Sequence, residues 1–336
     1  MLSGKIPSTT SFQAFGVYFK KDKALERLVL PQLDILLDKP STFPKHVYST
    51  VPLRIHRVFD VAHADIELLY DVTTKTLTAS PRGPVGERFE GLDRLPPTFH
   101  ENSLRQVYGG SGRTLPPLAE YIYDAARAFA LLKHKNVRDG PLDMRSEVAV
   151  WMSSLVRGPG LPPFLPTRGR DMIPSQSLDF YVREKGCDAS QEVGVDEGYG
   201  ILVGNNNPNA LYVAVVKIPS STLKPVMSFH TKVAGDGGEA LLFERDIDGD
   251  VRGMLRFELH AGQSFNVDKV VLALSSEPIE AVEEMLAGEK VWDALVVTAV
   301  CQPADDDDRT VLDFQEDSEE QDIADALVRD TKTLKL

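Results

Sequence analysis

Cysteine is scarce: Cys187 and Cys301 are the two in 336 residues. That excludes a disulfide scaffold and a four-cysteine zinc site. No run approaches the roughly 18 apolar residues that a membrane span needs. The opening stretch MLSGKIPSTTSFQAFG has no apolar core of the signal-peptide kind. The seven histidines show neither HExxH nor HxH spacing, and there is no GxSxG. Gly109-Gly110-Ser111-Gly112 lacks the GK[ST] ending of a phosphate loop and reads as a hinge. Basic residues are the minority, 37 against 50 acidic ones, for a formal charge of −13. Nonspecific nucleic-acid binding is therefore not expected. What is present is a globular composition, 42% hydrophobic and 26% charged. The length suggests about two domains. These readings predict a cytoplasmic protein with no membrane or nucleic-acid partner, no metal and no cofactor.

The charge is unevenly placed. Pro303 to Leu336 holds 12 Asp or Glu and 4 Lys or Arg, a net of −8, so the other 302 residues carry −5. Asp305 to Asp308 open this stretch, which reads as a solvated acidic tail. Arg157 to Pro174 is the second punctuation mark: eight of its 18 residues are Gly or Pro, which predicts a linker over 157–176. Residues 1–46 read as an N-terminal extension. Residues 47–156 read as a smaller mixed α/β domain, with alternating strands in RIHRVFDV and ADIELLYDV. Within it, LAEYIYDAARAFALLK is a helix with apolar residues at three- and four-residue intervals, entered through Pro116-Pro117. EVAVWMSSL then alternates like a strand.

From 177 to 302 seven short apolar runs, Leu178–Arg183, Ile201–Gly204, Leu211–Ile218, Ala240–Phe243, Met254–Leu259, Val270–Leu274 and Ala294–Val300, are separated by polar turns. That spacing predicts an antiparallel β-sandwich, making the whole an α+β protein, mainly β. Two turns stand out as exposed interaction candidates: Asn205, Asn206, Asn207 and Asn209 in NNNPN, and Asp246, Asp248 and Asp250 in DIDGD. The second also invites a calcium reading. An EF-hand loop needs its glycine sixth and a glutamate twelfth, whereas here the glycine is fourth and Glu258 thirteenth. An Asp-Gly hairpin turn accounts for it more simply.

Several segments in co-linear order resemble the region that follows the caspase-like domain in fungal, mainly mushroom-type, caspase-domain proteins. They are IYDAARAFALLKHKN at 122–136, EVAVWMSSL at 147–155, ILVGNNNPNALYVAVVKIPSSTLKPVM at 201–227, LRFELHAGQSFNVDKVVLALSSEPIE at 255–280 and VWDALVVTAVCQ at 291–302. The resemblance spans roughly 47 to 302. It implies a β-rich accessory module, because the peptidase chemistry of that family belongs to its N-terminal caspase fold. It also implies a protein partner, with a caspase-like domain in cis or in trans as the candidate.

A different class of function, a divergent caspase-type cysteine peptidase, would need a thiolate beside a histidine. Cys187 and His134 are 53 residues apart, near the spacing of such enzymes. The flanks EKGCDAS and LKHKN match neither the Q-A-C-x-G pattern nor a His-Gly turn, so this dyad is the weaker reading. A ligand-binding sandwich is a third class, permitted by fold analogy and supported by no residue cluster. The expectation carried forward is a non-catalytic accessory or regulatory interaction module.

Overall fold

A computed structural model of the chain describes residues 13–34, 36–37, 53–86, 97–105, 115–134, 147–156, 165–166, 171–172, 178–184, 198–242, 244–245, 251–253, 255, 266–287 and 292–303. The first part builds a five-stranded mixed sheet. β1 (Gln13–Phe19) leads through α1 (Lys23–Leu33) to β2 (Leu53–Val58), which lies parallel to β1. Asp22 caps α1 by accepting from the amides of Ala24 at 2.8 Å and Leu25 at 3.1 Å. After β2 a 3₁₀ turn, Val61–His63, carries the chain across β1 to β3 (Ile66–Asp71), parallel to β1 on its other side. Gly16 makes that crossing possible. A Cβ there would lie 2.7 Å from the His63 carbonyl, and the Gly16 amide donates to Asp65 Oδ2 at 2.8 Å. β4 (Thr76–Pro81), a short helix α2 (Gly83–Gly86) and β5 (Thr98–His100) continue the sheet as a meander, in the order β2-β1-β3-β4-β5.

α3 (Glu101–Leu104) is followed by α4 (Pro117–Leu132), the helix on which the layers are assembled. Its periodicity produces apolar contacts to both sides. Phe129 meets Phe15 edge-on at 5.4 Å between ring centroids, and Tyr121 meets Phe99 at 6.0 Å. The same core cluster contains Ala214, Val216, Ile218, Val271, Ala273 and Trp292 from the sandwich. Every residue from Asp124 to Leu132 is buried.

The sandwich strands follow: β6 (Val148–Val156), β7 (Leu165–Pro166), β8 (Asp171–Met172), β9 (Leu178–Glu184), β10 (Gly198–Asn205), β11 (Leu211–Ile218), β12 (Val226–Val233), β13 (Gly238–Leu241), β14 (Glu244–Arg245), β15 (Val251–Arg252), β16 (Asn266–Ser275), then helix α5 (Val282–Ala287) and β17 (Trp292–Pro303). One sheet runs β13-β10-β6-β7, with β8 also on β6. The other runs β12-β11-β16-β17-β9, antiparallel apart from β17 with β9. In the second sheet β11 and β16 are buried on both faces. Val213, Val215, Val270 and Leu272 point into the sandwich core, and Ala214, Val216, Val271 and Ala273 point at the helical layer. The layers are thus mixed sheet, helices, central sheet and outer sheet. The chain is α+β and mainly β, with an antiparallel sandwich after a smaller mixed part.

The boundaries read from sequence shift. β6 belongs to the sandwich by its ladder with β10, not to a domain ending at 156. The predicted extension 1–46 supplies β1 and α1, and the predicted linker 157–176 supplies β7 and β8. The places of β1 and β6 are fixed by ladders with β2 and β10, each 40 or more residues further along the chain, which local composition does not encode. The acidic tail from 304 on lies outside the described residues.

Two charges enter this core on α4. Arg127 donates to Asp124 Oδ1 at 3.1 Å and to Glu283 of α5, joining the helical layer to the sandwich's connecting helix. Burial pushes the Asp124 carboxyl up, against the opposing pull of Arg127. In urea denaturation at pH 7, Arg127→Ala should cost about 3–5 kcal/mol by stranding a buried carboxylate. Asp124→Asn should cost under about 1 kcal/mol, because it removes the ionisation penalty and keeps an acceptor. Equal losses in the two variants would contradict this account.

Candidate functional site

The asparagine turn lies at a corner of the sandwich, where β10 leaves the outer sheet and β11 enters the central one. Asn205, the last residue of β10, faces Val148 on one side and Gly238 on the other. Its side chain is fully buried. Nδ2 donates to the carbonyls of Asn209 at 2.9 Å and Ala234 at 3.0 Å, and Oδ1 accepts from Asn207 N at 3.0 Å and Asn207 Nδ2 at 2.9 Å. All four hydrogen-bonding positions of the amide are used, so Asn205 is scaffold and not an exposed contact residue. The expectation for Asn205 is corrected on that ground.

A second turn locks onto the first. Asp236 N donates to Asn207 O at 2.8 Å, and Gly237 N to Asn205 O at 2.9 Å. Asp236 and Gly237 have φ of +56° and +83°, the left-handed pair of a type I′ turn, and Gly238 N closes it onto Gly235 O at 3.3 Å. Gly235 has to be glycine for space: a Cβ would sit 2.6 Å from the Pro208 carbonyl. Asn206 N donates to Glu147 O at 2.8 Å, tying the turn to the approach to β6. On this frame the side chains of Asn206, Pro208 and Asn209 are exposed and Asn207 is half-buried. The partner turn was missed by sequence reasoning, although AGDGGE carries the Asp-Gly signal of such a turn.

The other candidates fare differently. Asp246, Asp248, Asp250 and Cys187 lie outside the described residues. His134 follows α4, and its ring stacks on Trp292 with centroids 3.6 Å apart and an 11° tilt. Nε2 is 2.8 Å from the Trp292 carbonyl, so it carries the proton and donates. Trp292 in turn donates from Nε1 to Met285 O at 3.2 Å. Burial lowers the His134 pKa, with the Trp292 hydrogen bond and the Asp293 charge pulling the other way. A ring held between a carbonyl and an indole is a joint between layers, and its geometry gives no support to a role as base for Cys187. Among the described residues no group of three or more His, Cys, Asp or Glu could hold a metal ion, and no helix is long and apolar enough to cross a membrane.

No protein-family model matches the sequence, and no curated protein matches it. Among solved structures the chain is similar to the Salmonella enterica SafA pilin in complex with the SafB chaperone. That similarity has 7% identity and a TM-score of 0.22, over 39% of this chain and 52% of that one. The chain thus spans about half the length of that structure, and a likeness this low carries no argument.

Asn205→Ala should lower stability by about 2–4 kcal/mol, since it leaves buried carbonyls and an amide without partners. Asn206→Ala should stay within about 0.5 kcal/mol of the parent. Matching melting temperatures for the two variants would contradict the division into scaffold and tip. For His134 the folded pKa is below the unfolded value, so its stability contribution is complete above about pH 6.5 and is lost as pH falls towards the folded pKa. His134→Phe keeps a stacked ring without a titrating group. The gap in urea midpoint between wild type and this variant should shrink from pH 7.5 to pH 5; a constant gap would rule the titration out.

Proposed function

We propose that this protein is a non-catalytic accessory or regulatory module that works in the cytoplasm by binding a protein partner. The resemblance of its segments to the region following fungal caspase-like domains points to such a domain, in cis or in trans, as the partner. One observation carries the reading. The tip residues Asn206, Pro208 and Asn209 are exposed while the backbone beneath them is fixed by Asn205 and by the 234–238 turn. Loops held rigidly at the end of a scaffold bind with little ordering cost, because the contact geometry exists before the partner arrives. Neutral amides and a proline ring suit a polar protein surface, and they bring no positive charge to a phosphate backbone.

The test is binding of the full chain to a purified mushroom-type caspase-like domain by calorimetry. Wild type should bind saturably, and the double variant Asn206→Arg, Asn209→Arg should bind at least tenfold more weakly with an unchanged melting temperature. Unaltered affinity in that variant, or no binding by wild type, would overturn the proposal.

A further inference from the structure

The two turns of the corner hold their tips side by side, and the second carries a charge that the first lacks. Asp236 and Gly237 form the tip of the 234–238 turn, and a Cβ built on Gly237 would lie 4.0 Å from Asn206 Oδ1. Both peptide groups are held, Asp236 N on Asn207 O at 2.8 Å and Gly237 N on Asn205 O at 2.9 Å. The Asp236 side chain is exposed, as are those of Asn206, Pro208 and Asn209.

The fold does not need the Asp236 charge. Its φ of +56° is the left-handed position of a type I′ turn, which asparagine serves as well as aspartate. Asp22, Asp60 and Asp71 show what a turn aspartate does when its carboxylate is structural. Each accepts from the amide two residues on, at 2.8, 2.9 and 2.8 Å. Among the described residues the Asp236 carboxylate makes no such hydrogen bond and no ion pair. It is a fixed and exposed charge with no structural duty.

The surroundings keep its sign. Glu147, whose carbonyl accepts from Asn206 N, and Glu239 in β13 are both exposed. Lys232, near the end of β12, has its ammonium 5.7 Å from the Tyr212 ring centroid, and among the described residues it pairs with no carboxylate. The asparagine tip itself is neutral.

We infer that Asp236 is a specificity-determining residue of the corner, which receives a lysine or arginine of the partner protein while the neutral tip packs beside it. This role rests on the corner's proposed binding of a protein and adds the chemistry of the surface that fits it, a basic one. The carboxylate stands on a braced turn, so it meets the cation without loss of backbone freedom. A charge of this kind acts mainly on the association rate and on the choice of partner, and salt weakens it.

Calorimetry of the full chain with a purified mushroom-type caspase-like domain, at 50 mM and 300 mM NaCl, tests the role. Asp236→Asn keeps the turn and removes the charge. Its affinity at 50 mM should be about threefold to tenfold below wild type, with a flatter dependence on salt and no fall in melting temperature. Asp236→Lys should bind more weakly still. Asp34→Asn makes the same change of net charge at the exposed end of α1, and it should stay within about twofold of wild type. Wild-type binding that Asp236→Asn leaves unaltered would overturn this role while the asparagine tip keeps its own. An equal loss in Asp34→Asn would assign the effect to net charge, and a lower melting temperature for Asp236→Asn would make the residue structural; either would overturn it. Absence of wild-type binding would overturn the corner's binding role and this one together.

Discussion

Burial of α4 on both sides is the constraint on which the other layers depend. A surface helix needs one apolar stripe, but this one lies between two sheets and needs nearly a full circumference. The stretch from Ala125 to Leu132 supplies it with alanines, leucines and Phe129, broken only by Arg127. On the mixed-sheet side the helix meets large side chains such as Phe15 and Phe99. On the sandwich side the same core cluster continues through Ala214, Ala273 and Ala294 of the central sheet. The ion group Asp124–Arg127–Glu283 follows from the same constraint. Once a charge is enclosed between layers it has to be answered by another, and Glu283 on α5 provides the answer from the sandwich side.

The central sheet inherits its sequence character from this position. Strands with one solvated face alternate apolar and polar residues, whereas strands covered on both faces read as continuous apolar runs. LYVAVV in β11 and VVLAL in β16 are of the second kind, and their alternate residues fall into two separate cores. β12, at the edge of the same sheet, has the opposite character. Its sequence VMSFHTKV is mixed, His230 and Lys232 are exposed, and a bulge at Ser228 interrupts its ladder with β11. Charge and a bulge are what keep an edge strand from pairing with another molecule.

That contrast explains what could be read from the sequence. α4, β6, β11, β16 and β17 were legible because their burial imposes a strong period or a strong run. β12 was not among the predicted strands, because an edge strand lacks the apolar content that marks one. The division at 156 failed for a different reason: EVAVWMSSL is visibly a strand, but nothing local says that its partner is β10, some 50 residues later. The order of layers is likewise set by which faces meet, and no single segment records that.

The asparagine turn shows how composition can identify a loop while mistaking the duties of its residues. Four asparagines around a proline signal a turn with certainty enough, since each tolerates unusual backbone and bonds to its own chain. The same property that puts asparagine in turns also allows one of them to be buried as an internal brace. Asn205 does this because it ends β10 between two neighbours and can reach the carbonyls of two turns at once. The residues past it lose that reach and face outward. Register therefore decides which asparagine is structural and which is available to a partner, and register depends on β6 and β13, far off in sequence. A binding role for this corner has to rest on Asn206, Pro208 and Asn209, whose side chains the fold leaves unused, and Asn205 governs it only by holding them in place.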